Sequence, residues 1–396
     1  MENNKFENRV FGAVLVKSVV ANYNADFTGS PRTLPNGVVY STDKALKYCI
    51  RNYLKGDDKN IIFYTTRYKR ENMQPLDIDE TYIELFGAYP SKGKDIKENS
   101  EVKKIKGKED KAKAFEEQVK EEVNKFINEN EGYVIAQSIN NNYLLKKEID
   151  GKIQYHIIGH KPDDIKRIPI LQNLFKALDI KLFGATFASK EGNISIHGNV
   201  QITHGLNIYA ENNIFTEDIT SPFRNSNESS DDSQQTTIGN QTVLEEGHYL
   251  HNFTINPKNS EELVKLIDNQ GYLTTDDIKK FQEAINRGVS YLDSASKIGV
   301  ENEFSIFVTL NNNERIQLPS FTTLIKVESQ LDSFKRKLDL SELKILLNED
   351  GIKDKIEKVE IYIDTTKLDY DDEIFDIEKV CIKSIVSDKE LKKCQK

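Results

Sequence analysis

Residues 10 to 20 read VFGAVLVKSVV, an almost continuous run of apolar and β-branched side chains in a chain where 30% of residues are charged. A run of this kind has no polar face to give to water, so it reads as a strand buried in the middle of a sheet. It ends in NYNADFTGSPRTLPNG, whose Asn, Gly and Pro residues spell an irregular loop. A helix over 42–55 follows, with Ser41 or Thr42 as its cap and Gly56 as its stop, and NIIFYTT at 60–66 reads as the next strand. The chain is therefore read as a globular α+β protein.

No apolar run approaches the roughly 18 residues a membrane helix needs. The opening MENNKFENRV lacks the basic-then-apolar order of a signal peptide, so a cytoplasmic protein is expected, with no membrane partner. Cys49, Cys381 and Cys394 are too few and too scattered for a disulfide framework and include no CxxC pair, and they are read as reduced thiols.

From residue 68 to 167 the character changes. EVKKIKGKEDKAK packs six lysines into thirteen residues, and Phe115, Val119, Val123 and Phe126 then recur at helical spacing. This reads as an insertion with its own amphipathic helix. LQNLFKALD reads as a further helix and IKLFGATFA, 180–188, as a strand. In ISIHGNVQIT, 194–203, Ile194, Ile196, Val200 and Ile202 fall on one face and Ser195, His197, Asn199, Gln201 and Thr203 on the other, a half-buried strand with a polar working face. More than forty residues without sustained periodicity follow, a length that is usually functional or disordered. LTTDDIKKFQEAINRG is a helix capped by Thr274 or Thr275 and stopped by Gly288. FSIFVTL, KVEIYI and VCIKSIV complete the strands.

The net charge is −9, yet residues 1–70 hold 12 Lys and Arg against 6 Asp and Glu, leaving 43 against 58 for the remainder. An acidic body with a basic amino-terminal region suggests one localised face for a polyanion. At 100° per residue, Lys44, Lys47, Arg51 and Lys55 share a narrow sector of the helix, opposite Ala45, Leu46, Cys49, Ile50, Tyr53 and Leu54. The apolar side packs on the sheet, and the basic side forms a rail spaced about 5 to 6 Å per turn, near the phosphate repeat of an extended single strand. The single acid, Asp43, stands at the helix start, so the i,i+4 pairing of a merely solvated face is not expected.

The order of buried strand, Asn-rich loop with SPR and STDKALKYCIRNYL resembles the start of the CRISPR Cascade backbone subunit, the Cas-seven family, in its type I-B branch. KLFGATFASKEGNISIHGNVQITHGLN is similar to that family's L-F-G segment and the strand leading to its thumb. The resemblance implies an α+β fold with an RRM-like (ferredoxin-like) palm, a helical finger insertion and a β-hairpin thumb. The domains it implies are palm 1–67, 168–204 and 248–396, the last with a carboxyl-terminal α/β region, finger-like insertion 68–167 and thumb 205–247. Copies of the chain would stack along a guide crRNA with other Cascade subunits and present it to target DNA for antiviral defence. By the same resemblance Lys47 and Arg51 hold guide phosphates, Thr42 and Lys44 stand in the capping positions, and Asn22, Asn24 and Arg32 lie in the guide-facing loop. Thr186 and Phe187 prop nucleotides, Gln201 lies on the working strand and His204 opens the thumb. Ile214, Phe215 or Phe223 interrupts base stacking. Lys103, Lys104, Lys106 and Lys108 are candidates for DNA contact. Two departures from the family pattern are the wording of the loop and Tyr48, which replaces a basic residue.

No enzyme is expected and no cofactor. GxGxxG, GxxxxGK[ST], GxSxG and HExxH are all missing. The pairs His156 with His160, His197 with His204 and His248 with His251 lack the third and fourth ligands of a metal site. The alternatives are a type III-like endoribonuclease using Asp26, which lies in the loop after the first strand, and a stand-alone RRM-type RNA-binding protein. The latter normally carries an RNP1-like strand, and none of these strands matches it.

Overall fold

The computed structural model describes residues 4–224, 235–331, 333–371 and 379–392, with the side chains of 92–94, 220–224 and 235–238 left out. The chain is mixed α and β and divides into two compact units. The first comprises 1–58, 199–258 and 273–396, the second 59–198 and 259–272. The division therefore places 168–198 with 68–167.

The apolar run becomes β1 (Val10–Ala21), and it lies in the middle of the first unit's large sheet, as its lack of a polar face requires. After α1 (Asp43–Lys55) come β2 (Val200–Ile202), β3 (Gly205–Asn207), β4 (Ile214–Arg224), β5 (Gln235–Ile255), α2 (Thr275–Arg287), β6 (Val300–Leu310), β7 (Ile356–Ile363) and β8 (Val380–Ser384). The sheet runs Glu390–Lys392, β8, β7, β6, β1, β5, β3, Tyr40–Ser41, and β2 and β4 also pair with β5. β1 is antiparallel to both neighbours, with Val14 opposite His251 on one side and Ser305 on the other. Phe11, Ala13, Leu15, Leu250, Ile306 and Val308 pack on one face with Leu338, Leu343 and Leu347. On the other face Phe253 meets Phe281 of α2 and Phe307 of β6 at 5.7 and 5.1 Å between ring centroids. That ring crosses β1 at Gly12, where an added Cβ would lie 2.3 Å from Phe253 Cζ and 2.3 Å from Ile306 O. Glycine is required there by space, not by conformation. α1 lies beside α2, and Tyr53 Oη donates to Glu283 Oε1 at 2.7 Å.

β5 outruns the sheet. Residues 244–255 pair with β1, while 235–244 pair with β4, from Ile214 opposite Leu244 to Arg224 opposite Gln235. The segment read as an aperiodic stretch is thus a β-hairpin. Glu217, Asp218 and Ile219 are all exposed, so neither face is buried and no alternation is imposed.

The second unit holds the amphipathic helix Lys108–Glu129, with Phe115, Val119 and Val123 buried. Residues 68–167 are not the helical insertion expected, because four strands, Ser91–Asp95, Lys152–Gly159, Asn142–Ile149 and Val134–Ile139, form a sheet in that order. Asp150 and Gly151 turn two of them at φ 51° and 74°, the positive values a two-residue hairpin needs. NIIFYTT is not a strand. The buried Asp179 carboxylate accepts from Phe63 N at 2.7 Å and Tyr64 N at 2.9 Å, and Arg67 donates to the carbonyls of Ile62 and Phe63, so those backbone groups are taken. The segment 180–188 begins as helix, Leu178–Phe183, and becomes strand only at Gly184–Ser189. ISIHGNVQIT is two strands rather than one, Gly192–His197 pairing with Gly184–Ser189 and β2 pairing with β5.

Of the cysteines, Cys49 is free and buried, Cys381 is disulfide-bonded rather than the reduced thiol expected, and Cys394 lies outside the described residues.

Candidate nucleic-acid interface

The basic helix packs as its periodicity requires, with Leu46, Cys49, Ile50 and Leu54 buried. Lys44, Tyr48 and Lys55 are exposed, while Lys47 and Arg51 are half-buried beside them. Thr42 is the cap, its Oγ1 accepting from Ala45 N at 3.4 Å. The expectation that the cations lack an i,i+4 partner is corrected here, because Lys47 Nζ meets Asp43 Oδ2 at 2.9 Å. Burial pushes the Asp43 carboxyl up, but Lys47, His204 and Lys44 outweigh it and hold the group below its ordinary value. Lys47 is thereby held along the helix, its ammonium fixed beside the helix start.

The loop after β1 is tied to this helix end. Asn24 Oδ1 accepts from both Thr42 N and Thr42 Oγ1 at 2.9 Å. Asn22 is buried, and its Nδ2 donates to Gly29 O at 2.9 Å and Thr242 O at 3.2 Å, joining the loop to β5. Lys297 donates to Tyr23 O and Asn22 O from behind, its pKa lowered by burial. Both asparagines thus hold the loop in shape rather than reaching outward. Two buried atoms here, Asn22 Oδ1 and Arg32 Nε, have no hydrogen-bond partner in the protein.

His204 is exposed, accepts from Asp43 N through Nδ1 at 3.2 Å and stacks on Tyr40 at 5.8 Å. Beneath it His251 is fully buried, hydrogen-bonded to Thr203 O at 3.0 Å and to Tyr23 Oη at 3.4 Å. Burial lowers its pKa to about 4, so it is neutral and contributes no charge to the face. Gln201 is exposed on β2. Asp43, Thr203, His204, Leu206, Ser320 and Thr322 line a shallow depression of about 540 Å³ beside the helix start.

Asp26 is already engaged. Its Oδ1 accepts from Thr28 N at 2.8 Å, Thr28 Oγ1 at 2.7 Å and Ser30 N at 3.1 Å, and these bonds hold its pKa below the ordinary value. On the hairpin, Ile214 is exposed and Phe215 half-buried, whereas the side chain of Phe223 lies outside the described residues. In the second unit Thr186 is exposed, but Phe187 is 0% exposed among Phe63, Tyr82 and Ile196. Its position in β-structure with alternating faces turns it into the core, so the reading of Phe187 as a nucleotide contact is corrected. Lys103, Lys104, Lys106 and Lys108 are all exposed. His156 stacks on Phe126 at 4.2 Å, His160 lies edge-on to Phe115 at 5.2 Å, and no group of three metal-ligating side chains occurs among the described residues. Lys297, Tyr40 and Asn22 hold the site through partners more than a hundred residues away or across strands, which no local sequence pattern signals.

Matches among solved structures include a chain described as a CRISPR RNA-guided surveillance complex in a pre-nicking state, at 11% identity over 96% of this chain and 97% of that one, TM-score 0.47. Another CRISPR RNA-guided surveillance complex chain matches at 10% identity over 92% and 94%, TM-score 0.40. No curated protein matches the sequence. Both scores lie under 0.5, and membership rests instead on a family model that spans residues 8–348. The chain belongs to the CRISPR-associated protein Cas7 family.

Proposed function

We propose that this chain is a multi-copy backbone subunit of a type I CRISPR interference complex, of the I-B branch, that grips guide crRNA by its sugar-phosphate chain, polymerises along it and presents it for pairing with target DNA. The observation that carries the reading is the outward edge of α1. Lys44, Lys47, Arg51 and Lys55 line one side of a helix in an acidic chain, and the start of that helix is tied to Asn24 and His204. Cations, hydroxyls and helix-terminal amides hold phosphates without reading bases, so any guide sequence fits and its pairing edges stay open.

The order β6, β1, β5, then β2, with α1 and α2 in the same unit, supports an RRM-like palm for the first-unit part of the proposed 1–67, 168–204 and 248–396; 59–67 and 168–198, which fall in the second unit, are assigned to the palm by the resemblance alone. The β4/β5 hairpin supports a thumb over 205–247, and 68–167 is assigned as the finger. Thr42, Arg32, Gln201, His204 and Thr186 are assigned to RNA contact, Asn22 and Asn24 to positioning the loop, and Ile214, Phe215 or Phe223 to unstacking. The lysines 103, 104, 106 and 108 are assigned to DNA. A nuclease reading through Asp26 is not favoured by the geometry, because Asp26 Oδ1 serves as the acceptor that shapes its own loop and no group of three metal-ligating side chains occurs among the described residues. The test is reversal of Lys47 and Arg51 to Glu in cells expressing a guide array. Guide-length RNA protected in regular steps is expected from the unaltered chain and lost from the variant; unchanged protection overturns the proposal.

A further inference from the structure

The loop between β1 and α1 ends in a tip that holds one side chain entirely in solvent. Phe27 is 103% exposed, while the residues around it are Asp26, Thr28, Gly29 and Ser30. A phenylalanine with no burial forgoes the apolar energy that usually fixes such a ring in a fold. The surrounding chain is nonetheless tightly specified. Asp26 Oδ1 takes three hydrogen bonds from Thr28 and Ser30, Asp26 N donates to Ser30 O at 2.8 Å, and Ala25 bridges to Pro31. The root of the loop is as firm. Val20 has φ 48°, a costly value for a β-branched residue, where the chain leaves β1. Asn22 fastens Gly29 and Thr242 of β5, and Asn24 fastens the cap of α1. One hydrogen-bonded frame therefore connects the hairpin strand, the cationic helix and the exposed ring.

We propose that Phe27 is a stacking platform for a base of the bound RNA, held ready by the Asp26 turn. The inference rests on the RNA-binding reading above and adds a residue and a role to it. A protein interface has an apolar core of several side chains ringed by polar ones. Here a single flat ring stands between polar shoulders, with Asp26 Oδ1 turned onto the loop's own amides and hydroxyl. That arrangement suits a base, which offers a π-face of ring size whatever its letter, and sequence-tolerant stacking suits a site whose other contacts ignore sequence. The Asp26 carboxylate has a mechanical role: through Oδ1 it shapes the turn that presents Phe27.

The test uses the full chain with an RNA of guide length that carries 2-aminopurine at successive positions. Affinity is measured over a salt series, together with the fluorescence of the probe base, for Phe27→Ala, Phe27→Leu and Phe27→Tyr. Stacking predicts that Ala and Leu weaken binding about 5- to 150-fold, the range stacking contacts span, with the salt slope unchanged. It also predicts quenching at one recurring position that Tyr keeps and Ala and Leu lose. Binding and quenching unaltered in Phe27→Ala overturn the proposal. So does a Leu variant that performs as well as Tyr, because an apolar protein contact needs no aromatic face. Reversal of Lys47 and Arg51 in the same assay reports separately on the RNA reading: its salt slope falls if the helix grips phosphates, and a slope that stays put counts against that reading whatever Phe27 does.

Discussion

Replacing His248 with Phe tests how the root of β5, and with it the hairpin, is held. His248 and Glu303 are both 0% exposed, and the imidazole Nδ1 is hydrogen-bonded to Glu303 Oε1. On its other side Nε2 lies 3.1 Å from Glu246 Oε1. Glu246 accepts from Arg336 at 3.1 and 2.5 Å and faces Lys17 at 3.3 Å, and the Tyr209 ring lies edge-on to the imidazole at 5.2 Å. Burial pushes the Glu246 carboxyl up, but His248, Arg336 and Lys17 hold it well below the usual carboxylate range. Burial likewise disfavours the imidazolium, yet the two carboxylates outweigh it and raise the His248 pKa above 6.5. Removing the imidazole strands the Glu303 charge in the interior, a loss of about 3–5 kcal/mol, whereas replacing both partners by apolar side chains is close to neutral. His248→Phe is therefore expected to lower stability by about 3–5 kcal/mol, and His248→Phe with Glu303→Leu to recover most of it. The sign with pH follows from the raised pKa. The stabilisation is fully present below the unfolded value of 6.5 and is lost as pH climbs through the folded value, so the native advantage over the double variant shrinks on the alkaline side. Denaturant unfolding across a pH series, with hydrogen exchange on β5 amides, reads both effects. Equal losses in the single and double variants, or a difference flat with pH, would refute the reasoning.

Three further outcomes are expected. Gly12→Ala should destabilise the first unit by roughly 1–3 kcal/mol or more, since its Cβ meets the Phe253 ring and the Ile306 carbonyl at 2.3 Å; an unchanged melting temperature contradicts the packing described. Asp26→Ala should leave complementary RNA uncut to the same degree as the parent assembly while exchange at the Ser30 amide rises; metal-dependent, regularly spaced cuts that vanish in the variant would restore the nuclease reading. Neutralising Lys103, Lys104, Lys106 and Lys108 together should weaken DNA binding and flatten its salt slope, and identical slopes would remove these lysines from the DNA path.

The elements legible in the sequence were those whose own residues settle their state. β1 has no polar face, α1 and α2 carry threonine caps and apolar stripes, and the helix around Phe115, Val119 and Val123 repeats at one period. The rest depended on partners far away in the chain. NIIFYTT has strand composition but surrenders its amides to Asp179, more than a hundred residues on. ISIHGNVQIT alternates across a point where the two strands part company at Gly198 and Asn199. The hairpin turned by Asp150 and Gly151 was signalled by that dipeptide but masked by the lysine-rich surroundings. In the site, the cationic stripe was readable from spacing alone, whereas the Lys47 pairing with Asp43 shows that one acid at a helix start is enough to engage the stripe's centre. The inward turn of Phe187 followed from packing among Phe63 and Tyr82, which spacing does not reveal.

The most direct measurement of the central claim is the salt dependence of guide RNA affinity for the parent chain and for Lys47→Glu with Arg51→Glu. If α1 clamps the phosphate chain, the variant binds far more weakly and its log–log slope flattens by about one unit per phosphate contact removed, equally for guides of different sequence. A variant that keeps both affinity and slope, or whose loss depends on the letters of the guide, contradicts the account.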